Sequence, residues 1–488
     1  MLTTNFIKGH SLIKGARLLS TAAPQMPPCD YVPPKYTGPS YDDVRKIRDT
    51  NLNPALATHF SKPLLTHAGH MQWLYDHEGR RYLDLFAGIV TVSVGHCHEK
   101  VRLAAEAQMK SLWHTTNIYL HPKIHEYAER LIEKLPGDLK VVYFVNSGSE
   151  ANDLAMTMAR IYTGNFDIIS LRNSYHGASP YTMGLTAHGT WKYKGLANGF
   201  GVHHVSNPDP YLGIWGGHRD SVIQSSRASE SSVVDGVCSS ADKYVGQLEE
   251  TIKYSIPGKG VAAFFAESIQ GVGGGVQFPL GYLKKAFELV RANGGLCVSD
   301  EVQTGFGRTG DHFWGFEGHG VVPDIVTMAK GIGNGFPLAA VVTTPEVART
   351  MSGALHFNTF GGNPIASAVG VAVLDAIEED NIQENCLNLG PYILTGLQAI
   401  CNESSLVGDV RGKGLMLSIE MVVDKESRAP LEPQRMMGIW DDCKDLGVIL
   451  GKGGLHGNVF RIKPPMCINK ADVDFTLAVF KQVLSKYE

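Results

Sequence analysis

The chain lacks an uninterrupted apolar run of the roughly 18 residues that a membrane-spanning helix needs. It also lacks an excess of charge of either sign, because 44 basic and 48 acidic side chains leave a net charge of −4. We therefore expect neither a membrane nor a nucleic acid as a partner. Its eight cysteines are scattered, without a Cys-x-x-Cys pair or a Cys/His ligand spacing. This pattern predicts buried thiols in a reducing compartment and no metal centre.

Acidic residues are absent from the first 29 positions, where Lys8, Lys14 and Arg17 stand among Ser, Thr and Leu. A basic, hydroxyl-rich and amphipathic start is typical of a mitochondrial transit peptide. We assign residues 1–23 to such a peptide, which places the mature protein in the mitochondrial matrix. A disordered tail on a cytosolic protein is the alternative.

Two ionisable residues stand where neighbouring apolar runs end. Residues 296–299 and 324–329 have the composition of buried parallel strands, and they deliver Asp300 and Lys330 to Gly-rich turns. Because ligands in open α/β sheets bind beyond the carboxyl ends of strands, one bound molecule can contact both side chains. A lysine that loses its proton forms Schiff bases with aldehydes. Taken singly, the lysine fits a surface turn and the aspartate a helix cap, so the prediction of a site depends on the pair.

Another apolar run, residues 141–145, ends in a segment of small residues just before a helical pattern. That segment contains Ser147, Gly148 and Ser149, and the helix follows at once from Glu150. Free backbone N–H groups at a helix start bind anions, assisted by the helix dipole. Ordinary capping by Ser147 explains the same motif. The Asp/Lys pair further along the chain favours a phosphate site.

The blocks Asp-Glu-Val-Gln (300–303) and Ala-Lys-Gly (329–331) resemble the signature of the class-III pyridoxal-phosphate-dependent aminotransferases. The resemblance extends from about residue 50 to the end of the chain, and within the family it is to the mitochondrial alanine–glyoxylate aminotransferases of the second type. It implies pyridoxal 5′-phosphate as the cofactor, amino acids and oxoacids as substrates, and a homodimer or a tetramer of two such dimers.

The family resemblance also implies a fold and a domain organisation. The fold is of type I: a large, mainly parallel, seven-stranded α/β/α domain with a smaller α+β domain built from both chain ends. We assign residues 24–85 to the N-terminal part of the small domain, 86–345 to the large cofactor-binding domain and 346–488 to the rest of the small domain. The Ser-rich segment 201–245 reads as a surface insertion, because strand–helix alternation resumes after it.

Roles for individual residues follow from the same resemblance. Lys330 would hold the cofactor and move the proton, and Asp300 would support the ring nitrogen. The other cofactor-binding residues implied are Ser147, Gly148, Ser149, Tyr175, His176, Glu267, Val302, Gln303 and, reaching the neighbouring subunit's cofactor, Thr359. Arg461 would bind the substrate carboxylate, since its planar guanidinium suits bidentate pairing, and Ile89 would border the substrate. Considered without the family, Tyr175, Thr359 and Arg461 each fit a structural role.

Two positions depart from patterns found in relatives. Many relatives carry Arg where this chain has Ala178, and that Arg holds the distal carboxylate of 2-oxoglutarate or glutamate. ω-Aminotransferases carry Glu at the position of Val272, where it covers the carboxylate-binding Arg when an ω-amine is bound. These differences predict transfer from L-alanine, or from a small donor such as β-alanine or 3-aminoisobutyrate, to glyoxylate or pyruvate.

Three other functions fit parts of the same pattern. One is a phospholyase that eliminates phosphate from phosphoethanolamine on the same scaffold. Another is an aminotransferase for a different ω-amino acid. The third is a structural or partner-binding relative that has lost its cofactor, against which the intact pair of Asp300 and Lys330 argues.

Overall fold

The computed structural model describes residues 24–194, 199–216, 233–234 and 237–488. The predicted transit peptide, residues 1–23, and part of the predicted 201–245 insertion lie outside them. The strands are β1 (Thr66–His70), β2 (Trp73–Asp76), β3 (Arg81–Leu85), β4 (Val141–Val145), β5 (Asp167–Leu171), β6 (Val202–Val205), β7 (Val233–Val234), β8 (Val237–Cys238), β9 (Val261–Glu267), β10 (Leu296–Asp300), β11 (Ile325–Met328), β12 (Ala339–Thr343), β13 (Val407–Lys413), β14 (Met416–Met421), β15 (Val448–Gly453) and β16 (Val459–Ile462).

Helical segments alternate with the strands along much of the chain. They are α1 (Tyr41–Asn51), α2 (Ala87–Val90), α3 (Glu99–Ser111), α4 (Pro122–Ile132), α5 (Gly148–Thr163), α6 (Thr182–Leu185), α7 (Ser239–Ser255), α8 (Tyr282–Ala292), α9 (Pro345–Thr350), α10 (Pro364–Glu379), α11 (Ile382–Glu403), α12 (Pro433–Asp445) and α13 (Lys470–Leu484). Within the described ranges, no helix has both the length and the apolar character needed to cross a membrane.

The central sheet has seven strands in the order β4-β12-β11-β10-β9-β5-β6. All neighbours pair in parallel except β12, which is antiparallel to β11 and to β4. Every residue of β9 to β12 is buried, as expected for strands covered by helices on both faces. Phe264 packs on the face that contains α8, and Phe265 packs on the face that contains α5. The predicted large, mainly parallel sheet is confirmed.

A second seven-stranded sheet, the terminal sheet, joins the two ends of the chain in the order β1-β2-β3-β15-β16-β14-β13. Strands β2 and β3 form an antiparallel hairpin, and β3 pairs in parallel with β15. A smaller unit of mixed strands and helices built from both chain ends agrees with fold type I. The residue boundaries assigned to the domains stay a prediction.

Arg411 on β13 connects the terminal sheet to the loop that follows β9. Its guanidinium is 2.7 Å from a Glu420 carboxylate oxygen and 3.0 Å from one of Asp409. Two of its nitrogens also donate to the carbonyl of Gly274 in that loop. Arg411, Asp409 and Glu420 are all buried, so each charge depends on the others for compensation.

Replacing Arg411 by alanine should therefore destabilise the protein strongly, because Glu420 would stay buried without its cationic partner. We expect the free energy of unfolding in urea to fall by about 3–5 kcal/mol. Arg45→Ala is the matched control, since Arg45 pairs with Asp49 on the exposed surface of α1 and such pairs contribute little. Equal losses in the two variants would contradict the structural role given to Arg411.

Candidate functional site

Three adjacent parallel strands deliver three ionisable side chains to one edge of the central sheet. Asp300 ends β10 opposite Glu267, which ends β9. Lys330 follows β11, two residues after its last residue, Met328. The backbone of Lys330 has a φ of 54°, a left-handed conformation that costs a residue with a side chain about 1–2 kcal/mol. Such strain is concentrated at functional sites.

A cavity of about 150 Å³ opens at this edge of the sheet. It is lined by Ser147, Gly148, Ser149, Asn152, Tyr175, His176, Gly177, Glu267, Asp300, Val302, Gln303 and Lys330. Every residue predicted to bind the cofactor contributes to this lining except Thr359. The structure therefore brings together side chains that lie as far apart in sequence as Ser147 and Lys330. Their roles stay a prediction.

The Asp300 carboxylate is held in place by two side chains. Its Oδ2 atom accepts hydrogen bonds from Asn152 Nδ2 and from His176 Nδ1, each at 2.8 Å. Asn152 is fixed in turn, because its Oδ1 accepts from the Thr327 hydroxyl at 2.7 Å. Asp300 and His176 are buried, so this network sets the direction of the carboxylate from inside the protein. Asn152 was not among the residues predicted from the sequence, although it lies one helical turn after Ser149 on α5.

The start of α5 forms the wall of the cavity opposite the strand ends. Ser147 caps the helix, since its Oγ accepts from the Glu150 N–H at 3.2 Å. Ser149 Oγ accepts from the Ala178 N–H at 3.1 Å. Both hydroxyl protons remain available as donors beside the first backbone N–H groups of the helix. A Cβ atom on Gly177 would lie 2.6 Å from Ser149 Oγ, so only glycine fits there. Capping and anion binding are compatible at this helix start.

Burial changes the proton affinity of the cavity's ionisable groups. Desolvation lowers the pKa of Lys330 from its ordinary 10.5 to about 8, although Asp300 and Glu267 oppose the change. Desolvation also raises the pKa of Glu267. The Glu267 carboxylate accepts from the backbone N–H groups of Tyr175 (3.1 Å) and Gly271 (2.7 Å). Glu267 thus fixes two loops, whereas Lys330 has the proton affinity of a general base.

Arg461 on β16 carries unused donors into the interior. Its side chain is buried, and burial lowers its pKa to about 10. Nη2 donates to the Lys452 carbonyl at 2.8 Å, while Nε and Nη1 have no hydrogen-bond partner among the described residues. No described carboxylate forms an ion pair with this guanidinium. Unpaired buried donors on a cation indicate an anionic ligand.

Ile89 lies in a left-handed turn after β3. All four residues of α2 (Ala87–Val90) have positive φ, between 51° and 67°. The Asp84 carboxylate stabilises the start of this turn by accepting from the N–H groups of Phe86 and Ala87 at 2.8 Å. The Ile89 side chain is 42% exposed. A β-branched residue in this conformation is strained, which is typical of functional segments.

Thr359 lies outside the cavity, on an exposed segment of the described chain. Its predicted role at the cofactor of a neighbouring subunit stays a prediction. Lys463, which follows β16 and is fully buried, was also not predicted from the sequence. Its Nζ lies 3.1 Å from Gln303 Oε1.

Comparison with known proteins places these residues in a family. The model of the class-III aminotransferase family matches residues 58–484. The human mitochondrial alanine–glyoxylate aminotransferase 2 is 53% identical over 482 residues, covering 98% of this chain and 93% of the relative.

Solved structures give the same result. An Arthrobacter phospholyase in complex with phosphoethanolamine superposes with a TM-score of 0.81 at 33% identity, covering 91% of this chain and 99% of that one. A PLP-bound amine transaminase from an uncultivated Pseudomonas species superposes with a TM-score of 0.79 at 29% identity, covering 90% of this chain and 98% of that one. The protein with Asp300 and Lys330 at one sheet edge belongs to the class-III aminotransferases.

Proposed function

We propose that this protein binds pyridoxal 5′-phosphate and transfers an amino group from L-alanine, or from a small donor such as β-alanine or 3-aminoisobutyrate, to glyoxylate or pyruvate. The observation that carries the proposal is the meeting of Lys330, Asp300 and the start of α5 around one cavity. The relatives' names add support, since the human relative is an alanine–glyoxylate aminotransferase.

The residues around the cavity fit this cofactor. The N-terminus of α5 with the Ser147 and Ser149 hydroxyls suits a phosphate. The buried Asp300 carboxylate suits a protonated ring nitrogen, and the Lys330 amine suits an aldehyde. Val302 and Tyr175 line the cavity and could contact a flat ring. Gly148 leaves room beside Val302, because a Cβ atom on Gly148 would lie 3.2 Å from the nearest Val302 methyl group. Bound pyridoxal phosphate supplies an aldehyde that exchanges amino groups and a ring that stabilises negative charge on the substrate's α-carbon.

Lys330 performs the proton transfer in this mechanism. Because the pKa of Lys330 is about 8, roughly half of the protein molecules carry a neutral Nζ at about pH 8. A neutral Nζ accepts the proton from the substrate's α-carbon and can return it at a neighbouring atom. Asn152 and His176 hold the Oδ2 atom of Asp300, so its carboxylate would support the ring nitrogen of the bound cofactor.

Arg461 selects substrates by their carboxylate. Its free Nε and Nη1 donors can form the bidentate pair that a carboxylate accepts. Val272 is buried, and its carbonyl accepts from the Gly454 N–H in the loop after β15. With an apolar residue there, no carboxylate competes for Arg461. Ala178 adds no second cation, which favours short oxoacids over 2-oxoglutarate.

We further infer that the protein forms a homodimer, either alone or as half of a tetramer. We also infer that it is located in the mitochondrial matrix. Large apolar side chains are exposed on two segments, residues 113–120 and 355–360, and the rings of His114 and Phe360 lie 5.4 Å apart. A contiguous apolar surface of this kind indicates a protein interface, and it includes the segment of Thr359. The relatives named mitochondrial support the location.

Replacing Lys330 by alanine should abolish both the visible absorption of the bound cofactor and all amino transfer, because no other lysine lines the cavity among the described residues. Absorption spectra and a coupled assay for pyruvate measure the two effects. Lys285→Ala is the control, since Lys285 pairs with Asp242 on the surface and should change neither. Transfer that survives in Lys330→Ala would refute the mechanism.

The oxoacid preference should follow from Ala178 and Val272. We expect glyoxylate and pyruvate to discharge the aminated enzyme, and 2-oxoglutarate to do so at least about tenfold less efficiently, the effect of losing one charged contact. Ala178→Arg should raise kcat/KM for 2-oxoglutarate while that for glyoxylate changes less. Stopped-flow rates with each oxoacid test this. Equal use of 2-oxoglutarate by the unmodified enzyme would overturn the substrate assignment.

Arg461 distinguishes transamination from the phospholyase reaction, whose substrate phosphoethanolamine has no carboxylate. Arg461→Met should lower kcat/KM for alanine by about 10²-fold, as expected for one bidentate charged contact, mainly through KM. Phosphate release from phosphoethanolamine should be undetectable with the unmodified protein and with Arg461→Met. Phosphate release that survives the substitution would instead favour the phospholyase. If a longer ω-amino acid were the best amino donor, the result would favour an aminotransferase for a different ω-amino acid.

A further inference from the structure

A second lysine is buried close to Lys330, and nothing in the proposed mechanism uses it. Lys463 is 0% exposed, and its backbone N–H donates to the Leu85 carbonyl at 2.8 Å. Its side chain extends from the end of β16 to the loops that follow β9 and β10. There, Nζ lies 3.2 Å from the Gly271 carbonyl and 3.1 Å from Gln303 Oε1.

The surroundings of Lys463 suit an amine without a charge. Both acceptors are neutral oxygens, and no ion pair among the described residues includes Lys463. Arg461, Lys330 and Arg308 add repulsion to the cost of burial, and together these lower the pKa of Lys463 well below its ordinary value, with Glu267 in opposition. A neutral amine has two N–H donors, and the two acceptors satisfy both.

Gln303 is held tightly at this point. A Cβ atom on Gly271 would lie 2.3 Å from Gln303 Oε1 and 2.7 Å from Nε2, so the amide packs directly against the glycine. Because Oε1 accepts from Lys463, the Nε2 group is the end of the amide left free to donate. Gln303 itself lines the cavity. The Gly271 N–H donates to Glu267 at 2.7 Å, which joins Lys463, Gly271 and Glu267 in one network.

We propose that Lys463 is a positioning residue, whose amine holds the Gln303 amide by its oxygen and so presents the amide NH₂ to the cavity as a donor to the bound cofactor. This inference rests on the proposed function, since the donor needs pyridoxal phosphate as its acceptor. Lys463 contacts neither cofactor nor substrate in this role. Its effect on cofactor binding passes through Gln303, while the Gly271 carbonyl anchors the other N–H of the amine.

A double-mutant cycle on cofactor affinity tests the dependence of one residue on the other. The dissociation constant of pyridoxal phosphate is measured by absorbance titration for the unmodified protein, Gln303→Ala, Lys463→Met and the double variant. We expect Gln303→Ala to weaken binding about tenfold and Lys463→Met about threefold to tenfold, as for lost hydrogen bonds. The double variant should bind as Gln303→Ala does, because Lys463 acts only through that amide.

Effects that multiply in the double variant would overturn the proposal, since two independent contributions to cofactor affinity would combine in that way. Lys444→Met is the matched control: Lys444 is also buried but pairs with Asp445 away from Gln303. It should change the melting temperature and leave cofactor affinity unchanged. If Lys463→Met does not fold, Lys463→Gln takes its place in the cycle. It keeps a donor on a shorter chain, and its separate effect should also vanish in the Gln303→Ala background.

The cycle separates this proposal from the proposed function. If the unmodified protein does not bind pyridoxal phosphate, the proposed function fails and this inference fails with it. If the unmodified protein binds and the two effects multiply, only the role of Lys463 is wrong.

Discussion

The site depends on the balance of energies around the amine of Lys330. Removing a cation from water is costly, and this cost lowers the pKa of the amine. The Asp300 and Glu267 carboxylates oppose the shift, and Arg461 adds to it. The result, about 8, lies close to neutral pH, where a general base is most effective when its pKa is near the working pH. A fully exposed lysine would stay protonated there, and one buried without carboxylates nearby would never carry the proton that it removes.

That balance requires charged side chains to be held in a site from which most water is excluded. The edge of the central sheet provides such a site. Strands β9 to β11 are buried along their whole length, so their ends are fixed by packing on two faces. The hydrogen bonds from Asn152 and His176 replace the water that Asp300 would otherwise need. The terminal sheet places Arg461 near the same edge, where it influences Lys330. The site therefore combines residues from the middle of the sequence with a residue from the C-terminal part.

The sequence predicted the parts of this site that depend on local pattern. Strand ends are visible as apolar runs that stop at Gly-rich turns, and Asp300 and Lys330 stand where they were expected. Asn152 and Lys463 were missed because their roles come from tertiary contacts: one faces Asp300 from a helix, the other reaches Gln303 from a strand 160 residues away. The left-handed turn at Ala87–Val90 was unpredictable for another reason. Local propensity disfavours β-branched residues at positive φ, and only the surrounding contacts, including those of Asp84, impose it.

Arg461 and Lys463 show why the two cationic residue types are not interchangeable here. They stand two positions apart and both are buried. Burial lowers the pKa of each, and Lys463 also experiences repulsion from nearby positive charge. A guanidinium keeps its charge under these conditions, since even a pKa of about 10 leaves it protonated at neutral pH. An amine loses its charge more readily and then serves as an ordinary hydrogen-bond donor. The arginine can therefore bind a carboxylate, while the lysine can orient an amide without competing for the same anion. Exchanging the two residues would place a permanent charge against Gln303 and remove the one that the substrate needs.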